Sequence, residues 1–258
     1  MSPTHPYLTG PHPKAFAHRG WHLDELAGME NSLSAFRRAT REGYRYLETD
    51  VHATSDGVVV VHHDATLDRT TDGTGRVDAQ PWAAVGLAKV GGREQITRLE
   101  HLLEELPDAH FNIDVKSDTA VTPVLRVLHR MKSLHRVCLA SFSDRRLARL
   151  RLLGGPDLLT SMGPRSAAAL LAAGRFPLFG RAVRGRIAQV PSTQGRLRIV
   201  DERFVRTAHR LSLEVHVWTV DEEHRMRQLL DLGVDGLVTD RPDVLRDVLK
   251  SRGTWLNS

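Results

Sequence analysis

Several polar residues that can perform acid–base or metal chemistry lie at the ends of short apolar segments. His18 ends the first of these segments, and Glu48 and Asp50 lie two positions apart in the second. Asp114 takes the same place in the third, and Lys116 follows it by two residues. Because residues i and i+2 of a strand share a face, this spacing predicts that the side chains converge in the folded chain.

The three carboxylates of Glu48, Asp50 and Asp114 would repel one another at a common site, so at least one needs a raised pKa or a nearby cation. An all-oxygen set without cysteine suits a hard divalent ion such as Mg²⁺ or Ca²⁺. A second interpretation is that the acids only pair with basic groups such as Lys116 or Arg45. Spacing alone keeps both interpretations open.

Two of the 14 histidines stand beside charged residues at segment ends. His18 precedes Arg19 and His63 precedes Asp64, and two imidazoles that flank a metal site can serve as acid and base near neutral pH. His62 competes with His63 for this role. Since successive side chains of a strand point to opposite faces, only one of the two can face the site.

Arg19 indicates an anionic substrate. Its guanidinium offers parallel donors that match a phosphoryl group, and Lys116 can add a further positive charge. Together with two histidines and a metal, this set favours attack on a phosphodiester over acyl transfer. A catalytic serine triad is not predicted, because the sequence lacks a Gly-x-Ser-x-Gly elbow.

The elements that position these residues alternate between apolar strands and longer amphipathic segments, a pattern typical of parallel β/α units. Eight strands are predicted, at 15–17, 46–51, 111–115, 137–140, 158–161, 187–190, 215–220 and 236–239. Eight such units form an α/β fold, the (β/α)8 TIM barrel, whose active site lies at the carboxyl ends of the strands. The polar residues described above fall at those ends.

One segment departs from the alternation. The turn signal Ser55-Asp56-Gly57 predicts a hairpin over 50–64 that folds back over the barrel mouth, within a small insertion after the second strand at about 51–110. Helices are predicted at 32–42, 98–106, 122–132, 144–153, 222–232 and 243–249. Asn31 is the predicted N-cap of the first helix, and Pro242 fits the first turn of the last. We predict one domain over 14–252 with flexible tails at 1–13 and 253–258.

Composition excludes several classes of protein. With 41% hydrophobic residues, a formal charge of +5 and one cysteine, Cys138, the 258-residue chain is neither wholly disordered nor a disulfide scaffold. No apolar run approaches the roughly 20 residues that span a bilayer, and the N-terminus lacks the apolar region of a secretory signal. We therefore expect a soluble, cytoplasmic protein without an integral membrane segment.

Arginine is concentrated in one part of the chain, because the segment 158–200 contains arginines but no Asp or Glu. Such a block either attracts phosphates or forms a solvated face. No nucleic-acid-binding motif accompanies it, so a nucleic-acid partner is not predicted. The apolar and basic stretch 167–186 suggests a weak contact with a membrane surface, and a barrel helix followed by a loop is the simpler interpretation. No feature predicts an oligomeric state.

Taken together, the motifs resemble those of the glycerophosphodiester phosphodiesterase family. The matching pieces run in the family's order from Phe16 to Pro242: Ala17-His18-Arg19-Gly20, Glu30-Asn31-Ser32, Glu48-Thr49-Asp50-Val51, Asp56-Gly57-Val58, His63-Asp64, Leu67-Asp68-Arg69-Thr70-Thr71, and 233–240. The resemblance implies a TIM barrel that cleaves a small-molecule glycerophosphodiester to an alcohol and glycerol 3-phosphate. It also implies a divalent metal, Mg²⁺ or Ca²⁺.

The resemblance further implies a role for individual residues. It makes His18 and His63 the acid–base pair, Arg19 a phosphate ligand, Glu48, Asp50 and Asp114 the metal ligands, and Glu30, Lys116 and Trp218 residues of the substrate site. The third acid is commonly glutamate in the family. Asp114 is one methylene shorter, which bears on the identity and affinity of the metal more than on the reaction.

Two features of the reaction stay open. The nucleophile is either water or the substrate's own neighbouring hydroxyl, and either histidine can act as the base. The alternative activity is that of a lysophospholipase D-like phosphodiesterase, which acts on lysophospholipids at a membrane surface.

Overall fold

The computed structural model describes residues 5–255, which form a ring of parallel strands surrounded by helices. The strands of the ring are β1 (Lys14–His18), β2 (Tyr46–Ala53), β3 (His110–Val115), β4 (Val137–Ala140), β5 (Leu159–Thr160), β6 (Ile187–Pro191), β7 (Glu214–Trp218) and β8 (Gly236–Thr239). Each pairs in parallel with its neighbour in the chain, β8 pairs with β1, and a bridge between Ser161 and Ile187 joins the β5 side to β6. The predicted TIM barrel and its eight strands are confirmed.

Helices cover the outside of the ring. Their bounds are α1 (Leu33–Arg41), α2 (Trp82–Val85), α3 (Leu99–Glu105), α4 (Val121–Arg130), α5 (Asp144–Gly154), α6 (Pro164–Ala173), α7 (Glu202–Arg210), α8 (Glu223–Asp231) and α9 (Pro242–Ser251). Apart from α2, each follows one strand of the ring. In α7, for example, Phe204, Val205 and Ala208 are buried, because their spacing places them on one helical face.

The start of α1 differs from its prediction. Ser32 is the N-cap, and its hydroxyl accepts a hydrogen bond from the backbone N–H of Ala35. Asn31 has a φ of +62°, and its side chain donates to Asp50 inside the barrel. The predicted Asn31 cap is therefore wrong, because Asn31 is committed to the interior while the next residue caps the helix. Pro242 opens α9 as predicted.

The segment after β2 folds back as a hairpin, as predicted. The strand Val59–Val61 pairs antiparallel with the end of β2, and Gly57 provides the turn with a φ of +83°. The insertion then runs on to α3 and contains α2 and the two-stranded pair Lys89–Val90 and Glu94–Gln95. It has its own apolar cluster, which includes Val60, Leu67, Val77, Val85, Val90 and Ile96. This cluster holds the insertion together beside the mouth.

The amino ends of the strands form the floor of the barrel. Residues 5–13, predicted as part of a flexible tail, pack there instead: Tyr7 is fully buried, with its ring centroid 5.4 Å from that of Tyr46. Trp255, in the other predicted tail, packs against Tyr44. Both aromatic rings leave water on packing, which explains why these parts of the tails are ordered. Residues 1–4 and 256–258 of the predicted tails lie outside the described residues.

A buried lysine stands at the centre of the floor. The side chain of Lys14 has no exposed surface, and its Nζ donates to Glu214 Oε1 at 2.8 Å. His216 Nε2 donates to the other carboxylate oxygen at 2.9 Å. Burial lowers the pKa of Lys14. Burial also opposes ionisation of Glu214, but the hydrogen bonds from His216 and Lys14 lower its pKa overall, so an ion pair links β1 to β7.

Replacing Glu214 by glutamine is expected to lower the free energy of unfolding by about 3–5 kcal/mol at pH 7, because the Lys14 ammonium is left buried without its counter-charge. Since folding lowers the pKa of Glu214, the stabilisation is complete above the ordinary glutamate pKa and is lost as the pH falls through the lowered value. Urea unfolding measures the effect. The double variant Lys14→Met/Glu214→Gln should recover most of the loss, and a single variant as stable as the wild type would show that the pair contributes nothing.

Candidate active site

The strand register places the predicted acids next to one another at the mouth. His18 lies beside Glu48 in the pairing of β1 with β2, and Asp50 lies beside Asp114 in the pairing of β2 with β3. Glu48 and Asp50 share the inner face of β2 because they are two residues apart. All three acids are buried.

Lys116 stands between two of these acids. Its Nζ lies 2.8 Å from Asp50 Oδ1 and 2.7 Å from Asp114 Oδ2. Burial opposes the charge on Asp50, but Lys116 and Arg19 lower its pKa overall. Burial raises the pKa of Asp114 despite the same lysine. Asp50 and Asp114 thus form the ion pairs that the second interpretation of the sequence proposed, with Lys116 as their partner. Arg45, the other basic residue considered, lies just before β2 at the opposite end of the barrel.

Glu48 is the acid that the protein leaves unsatisfied. Its Oε2 is buried and accepts no hydrogen bond, and the closest cationic group is His18, with Nε2 at 3.6 Å. Burial, together with the charge of Asp50, raises the pKa of Glu48 to about 8. A buried carboxylate oxygen without a partner is costly, so this atom is the place where an additional cation is most needed.

The acid cluster is not arranged as a ready coordination shell. Within residues 5–255, no three His, Cys, Asp or Glu side chains surround a common point that could hold a metal ion. The Lys116 ammonium lies between two of the acids, within 2.8 Å of an oxygen of Asp50 and 2.7 Å of an oxygen of Asp114. The donor set nevertheless suits a hard divalent cation, since it consists of carboxylate oxygens and includes the unpartnered oxygen of Glu48.

His18 is held from behind by a carboxylate. Its Nδ1 donates to Asp240 Oδ1 at 2.6 Å, and His22 Nε2 donates to the same oxygen at 3.2 Å. Asp240 follows β8, and its backbone N–H donates to Asp221. Burial disfavours the charged form of His18, but Glu48 and the Asp240 hydrogen bond raise its pKa overall. With Nδ1 engaged, Nε2 is the nitrogen that faces the acids.

His63 has the same arrangement on the other side of the site. Its Nδ1 donates to Asp64 Oδ1 at 2.5 Å, and its charge is close enough to Asp50 to lower the pKa of that acid. His62 is buried, and its Nε2 donates to the carbonyl of Thr66. The strand alternation therefore turns His63 toward the acids and His62 away from them.

Arg19 reaches the centre of the site from a turn. Its φ is +54°, and Gly20 follows with a φ of +85° where a Cβ would collide with the backbone of Ala35 in α1. Arg19 Nη1 donates to Glu30 at 3.0 Å, and its Nε lies 3.1 Å from Asp50 Oδ2 at ion-pair distance. The close packing of the turn on α1 explains why glycine is needed there.

The insertion joins the site through Arg69. Its guanidinium donates both to Asp64, the partner of His63, and to Glu30, the partner of Arg19. Basic and acidic side chains therefore alternate in a continuous chain of contacts across the mouth. The chain comprises His63, Asp64, Arg69, Glu30, Arg19, Asp50, Lys116 and Asp114.

Two aromatic side chains form a wall on the opposite side of the mouth. Trp218, at the end of β7, meets Phe142 edge to face with ring centroids 5.4 Å apart. Phe142 is 65% exposed, and Lys116 Nζ lies 5.9 Å from the centre of its ring, within cation–π range. Phe142 escaped the sequence analysis, because a phenylalanine after a strand carries no signal of its own.

Four further residues belong to the site although no role in it was predicted for them: Asn31, Arg69, Asp240 and His22. Asn31 Nδ2 donates to Asp50, and its Oδ1 accepts from Thr49. Asn31, Arg69 and Asp240 belong to the motifs on which the resemblance rests, so a search for partners of the predicted residues could have found them. His22 carries no such signal, because it lies in the loop after β1.

Comparison with known proteins identifies the family. The model of the glycerophosphoryl diester phosphodiesterase family matches residues 18–244. The chain belongs to this family. A relative from Mycobacterium tuberculosis, named "Probable glycerophosphodiester phosphodiesterase 2", is 41% identical over 247 residues, which cover 93% of this chain and 92% of the relative. The chain is therefore a phosphodiesterase, as predicted from the sequence.

Solved structures support the same conclusion for the fold. A glycerophosphodiester phosphodiesterase from Agrobacterium tumefaciens has a TM-score of 0.75 and 26% identity, and the alignment covers 92% of this chain and 99% of that one. A phosphodiesterase from Oleispira antarctica, solved in complex with its product sn-glycerol-3-phosphate, has a TM-score of 0.76 and 22% identity over 93% of this chain and 97% of that one. The barrel is thus shared over nearly the whole chain.

Proposed function

We propose that this phosphodiesterase hydrolyses glycerophosphodiesters to an alcohol and glycerol 3-phosphate, with His18 and His63 as its acid and base. The observation that carries the proposal is the matched setting of the two histidines. Each holds its Nδ1 against a carboxylate, Asp240 for His18 and Asp64 for His63. Such a partner fixes the tautomer and the ring orientation, so that Nε2 is the nitrogen that exchanges protons.

The residues between the histidines suit a phosphoryl group. The Arg19 side chain is mostly buried and its guanidinium is held in place by Glu30. Its remaining N–H donors are therefore positioned in advance for anionic oxygens. Lys116 adds a second positive charge at the same depth. Negative charge develops on the phosphoryl oxygens during cleavage, and both cationic side chains would stabilise it. The stabilisation is strong because water is partly excluded from the site.

The proton transfers follow from the setting of the histidines. A neutral histidine accepts a proton at Nε2 from the nucleophile, while the protonated one gives its Nε2 proton to the leaving alkoxide. Asp240 favours the imidazolium of His18, because it accepts the hydrogen bond from Nδ1–H. Either histidine can take either part, and the nucleophile is water or a hydroxyl of the substrate's glycerol.

Glu48, Asp50 and Asp114 are the residues that would hold a divalent metal, Mg²⁺ or Ca²⁺. The unpartnered Oε2 of Glu48 and the all-carboxylate donor set support this assignment. A metal bound there would supply Lewis-acid polarisation of a phosphoryl oxygen. Lys116 neutralises Asp50 and Asp114 in the present arrangement, and its ammonium would compete with the cation for the same oxygens.

The proposed function is tested with a panel of substrates. We expect the purified chain, supplied with Mg²⁺ or Ca²⁺, to release glycerol 3-phosphate from glycerophosphocholine and glycerophosphoethanolamine, as detected with a coupled dehydrogenase assay. Lysophosphatidylcholine is assayed in parallel by release of choline. Turnover of only the acyl-bearing compound would replace the proposal with the lysophospholipase D alternative, and no turnover of any diester by folded protein would refute it.

A further inference from the structure

An apolar surface lies on the barrel far from the mouth. The segment between α6 and β6 contains the short 3-10 helix Pro177–Ala182. Phe176, Leu178 and Phe179 in and beside it are 62%, 75% and 50% exposed. Large apolar side chains that are exposed in a contiguous group commonly mark an interaction surface. None of the roles assigned to the active site uses this group.

The segment runs along the outside of α7 toward the floor of the barrel. A connection from a helix to the following strand lies at the amino ends of the strands, opposite the mouth. Leu211, which is 40% exposed, lies in the next such connection, and a Cβ built on Gly180 would come within 3.4 Å of its side chain. We call this group, with the neighbouring arginines, the floor patch: Phe176, Leu178, Phe179, Leu211, Arg175, Arg181 and Arg184.

The floor patch is also strongly basic. Arg175, Arg181 and Arg184 are exposed, and no salt bridge within residues 5–255 involves any of the three. The chain has no Asp or Glu between 158 and 200 that could offset them. Arg203, in the first turn of α7, lies next to the start of the segment, since its side chain would contact a Cβ on Gly174. The arginines thus surround apolar side chains with uncompensated positive charge.

We propose that the floor patch binds the surface of an anionic phospholipid bilayer. Apolar side chains ringed by arginines match the boundary between lipid headgroups and acyl chains. There the apolar side chains enter the acyl layer, and the arginines bind the headgroup phosphates. Nucleic acid offers phosphates as well, and its bases can stack on Phe176 and Phe179, but the exposed leucines Leu178 and Leu211 would stay in water, whereas a bilayer takes up all four apolar side chains. No helix within the described residues has the length and apolar character needed to cross a bilayer, so the contact is peripheral.

The orientation has a consequence for the substrate. The apolar part of the floor patch lies toward the end of α7, where Gly180 packs near Leu211, and the catalytic residues lie at the mouth, so binding through the patch keeps the mouth off the bilayer surface. The enzyme would then take a dissolved diester from the aqueous side of the surface rather than a lipid from the bilayer. This part of the inference depends on the proposed function, whereas the binding itself does not.

Vesicle sedimentation of the full chain tests the binding. We expect binding to vesicles of phosphatidylcholine with phosphatidylglycerol, little binding to pure phosphatidylcholine, and weakening at high salt. At about a fivefold contribution for each arginine, the triple variant Arg175→Gln/Arg181→Gln/Arg184→Gln should lose binding by on the order of a hundredfold. Phe176→Ser/Leu178→Ser should also weaken it. The matched control Arg126→Gln/Leu87→Ser removes one exposed arginine and one exposed leucine elsewhere on the barrel and should bind normally.

Fluorescent labelling tests the orientation. Cys138 is fully buried, so a thiol-reactive probe that reports polarity can be placed on a cysteine introduced at Leu178→Cys. A second probe at Leu197→Cys reports from the mouth side, where Leu197 is 54% exposed in the hairpin after β6. Anionic vesicles should shift the emission of the first probe to the blue and leave the second unchanged.

The outcomes separate the inference from the proposed function. Four results would each overturn the inference. They are absence of vesicle binding, equal binding of the wild type and the floor variants, and an emission shift of only the mouth probe. The fourth is binding of an oligonucleotide that the floor variants weaken, without binding of vesicles. Turnover of glycerophosphocholine in solution should be the same in wild type and floor variants. Loss of vesicle binding in the floor variants with unchanged turnover therefore tests only the patch. Absence of turnover in the wild type and in every variant tests only the proposed function.

Discussion

His18→Ala and His63→Ala are each expected to lower kcat/KM for glycerophosphocholine by on the order of 10² to 10⁴, the contribution of a positioned acid or base. Both rings have Nδ1 fixed by a carboxylate. Each variant should therefore lose one proton transfer while substrate binding through Arg19 and Lys116 persists. The effect is expected mainly in kcat, as initial-rate kinetics will show.

The matched control for the two histidines is His129→Ala. His129 is exposed on α4, away from the mouth, so its removal should leave both kcat and KM within about twofold of the wild type. Far-ultraviolet circular dichroism establishes that the variants are folded. Near-normal turnover of either active-site variant would show that the corresponding imidazole transfers no proton.

Glu48→Gln is expected to abolish the response of the protein to Mg²⁺ and Ca²⁺. Glutamine keeps the size of the side chain but cannot become the carboxylate whose unpartnered Oε2 would bind the cation. In the wild type, a cation at about 100 times its Kd stabilises the folded state by about 2.7 kcal/mol, which raises the Tm of a chain of this size by roughly 5–10 °C. Differential scanning fluorimetry measures this shift without any assay of activity.

Removal of metal provides the second half of this experiment. Chelation of the wild type should suppress turnover, and addition of Mg²⁺ or Ca²⁺ should restore it, whereas Glu48→Gln should stay inactive throughout. Glu104→Gln, at an exposed glutamate of α3, is the control that should retain the full Tm shift. The metal assignment would be refuted if neither cation changed the Tm of the wild type and if chelation left its activity unchanged.

The fold was predictable because short segments rich in apolar residues alternate along the chain with longer amphipathic segments. In β2 and β3, apolar residues alternate with the polar residues that line the mouth, and this two-residue period indicates a strand. The tails were not predictable in the same way. Tyr7 becomes buried only because the floor of the barrel offers a partner in Tyr46, and a single aromatic residue in a proline- and histidine-rich segment does not reveal this.

Site residues could be predicted where the period of a strand sets the direction of the side chain. Residues placed by loops could not be predicted in this way. Spacing alone put Glu48 and Asp50 on one face, and alternation foresaw that only one of His62 and His63 can face the acids. The position of Lys116 between Asp50 and Asp114 depends on how far a flexible side chain reaches. Phe142 is held by a contact between separate β/α units, which no local pattern encodes.

The alternating chain of basic and acidic side chains from His63 to Asp114 has a consequence for mutagenesis. Each interior member touches two others, so removal of one frees its neighbours to form new pairs or leaves them unpaired. Effects of single replacements will not sum, and coupling energies of about 0.5–3 kcal/mol are expected between members that touch. Arg69, remote from the acids in sequence and half exposed, will then behave like a residue of the inner site, because its loss is transmitted through Glu30 to Arg19.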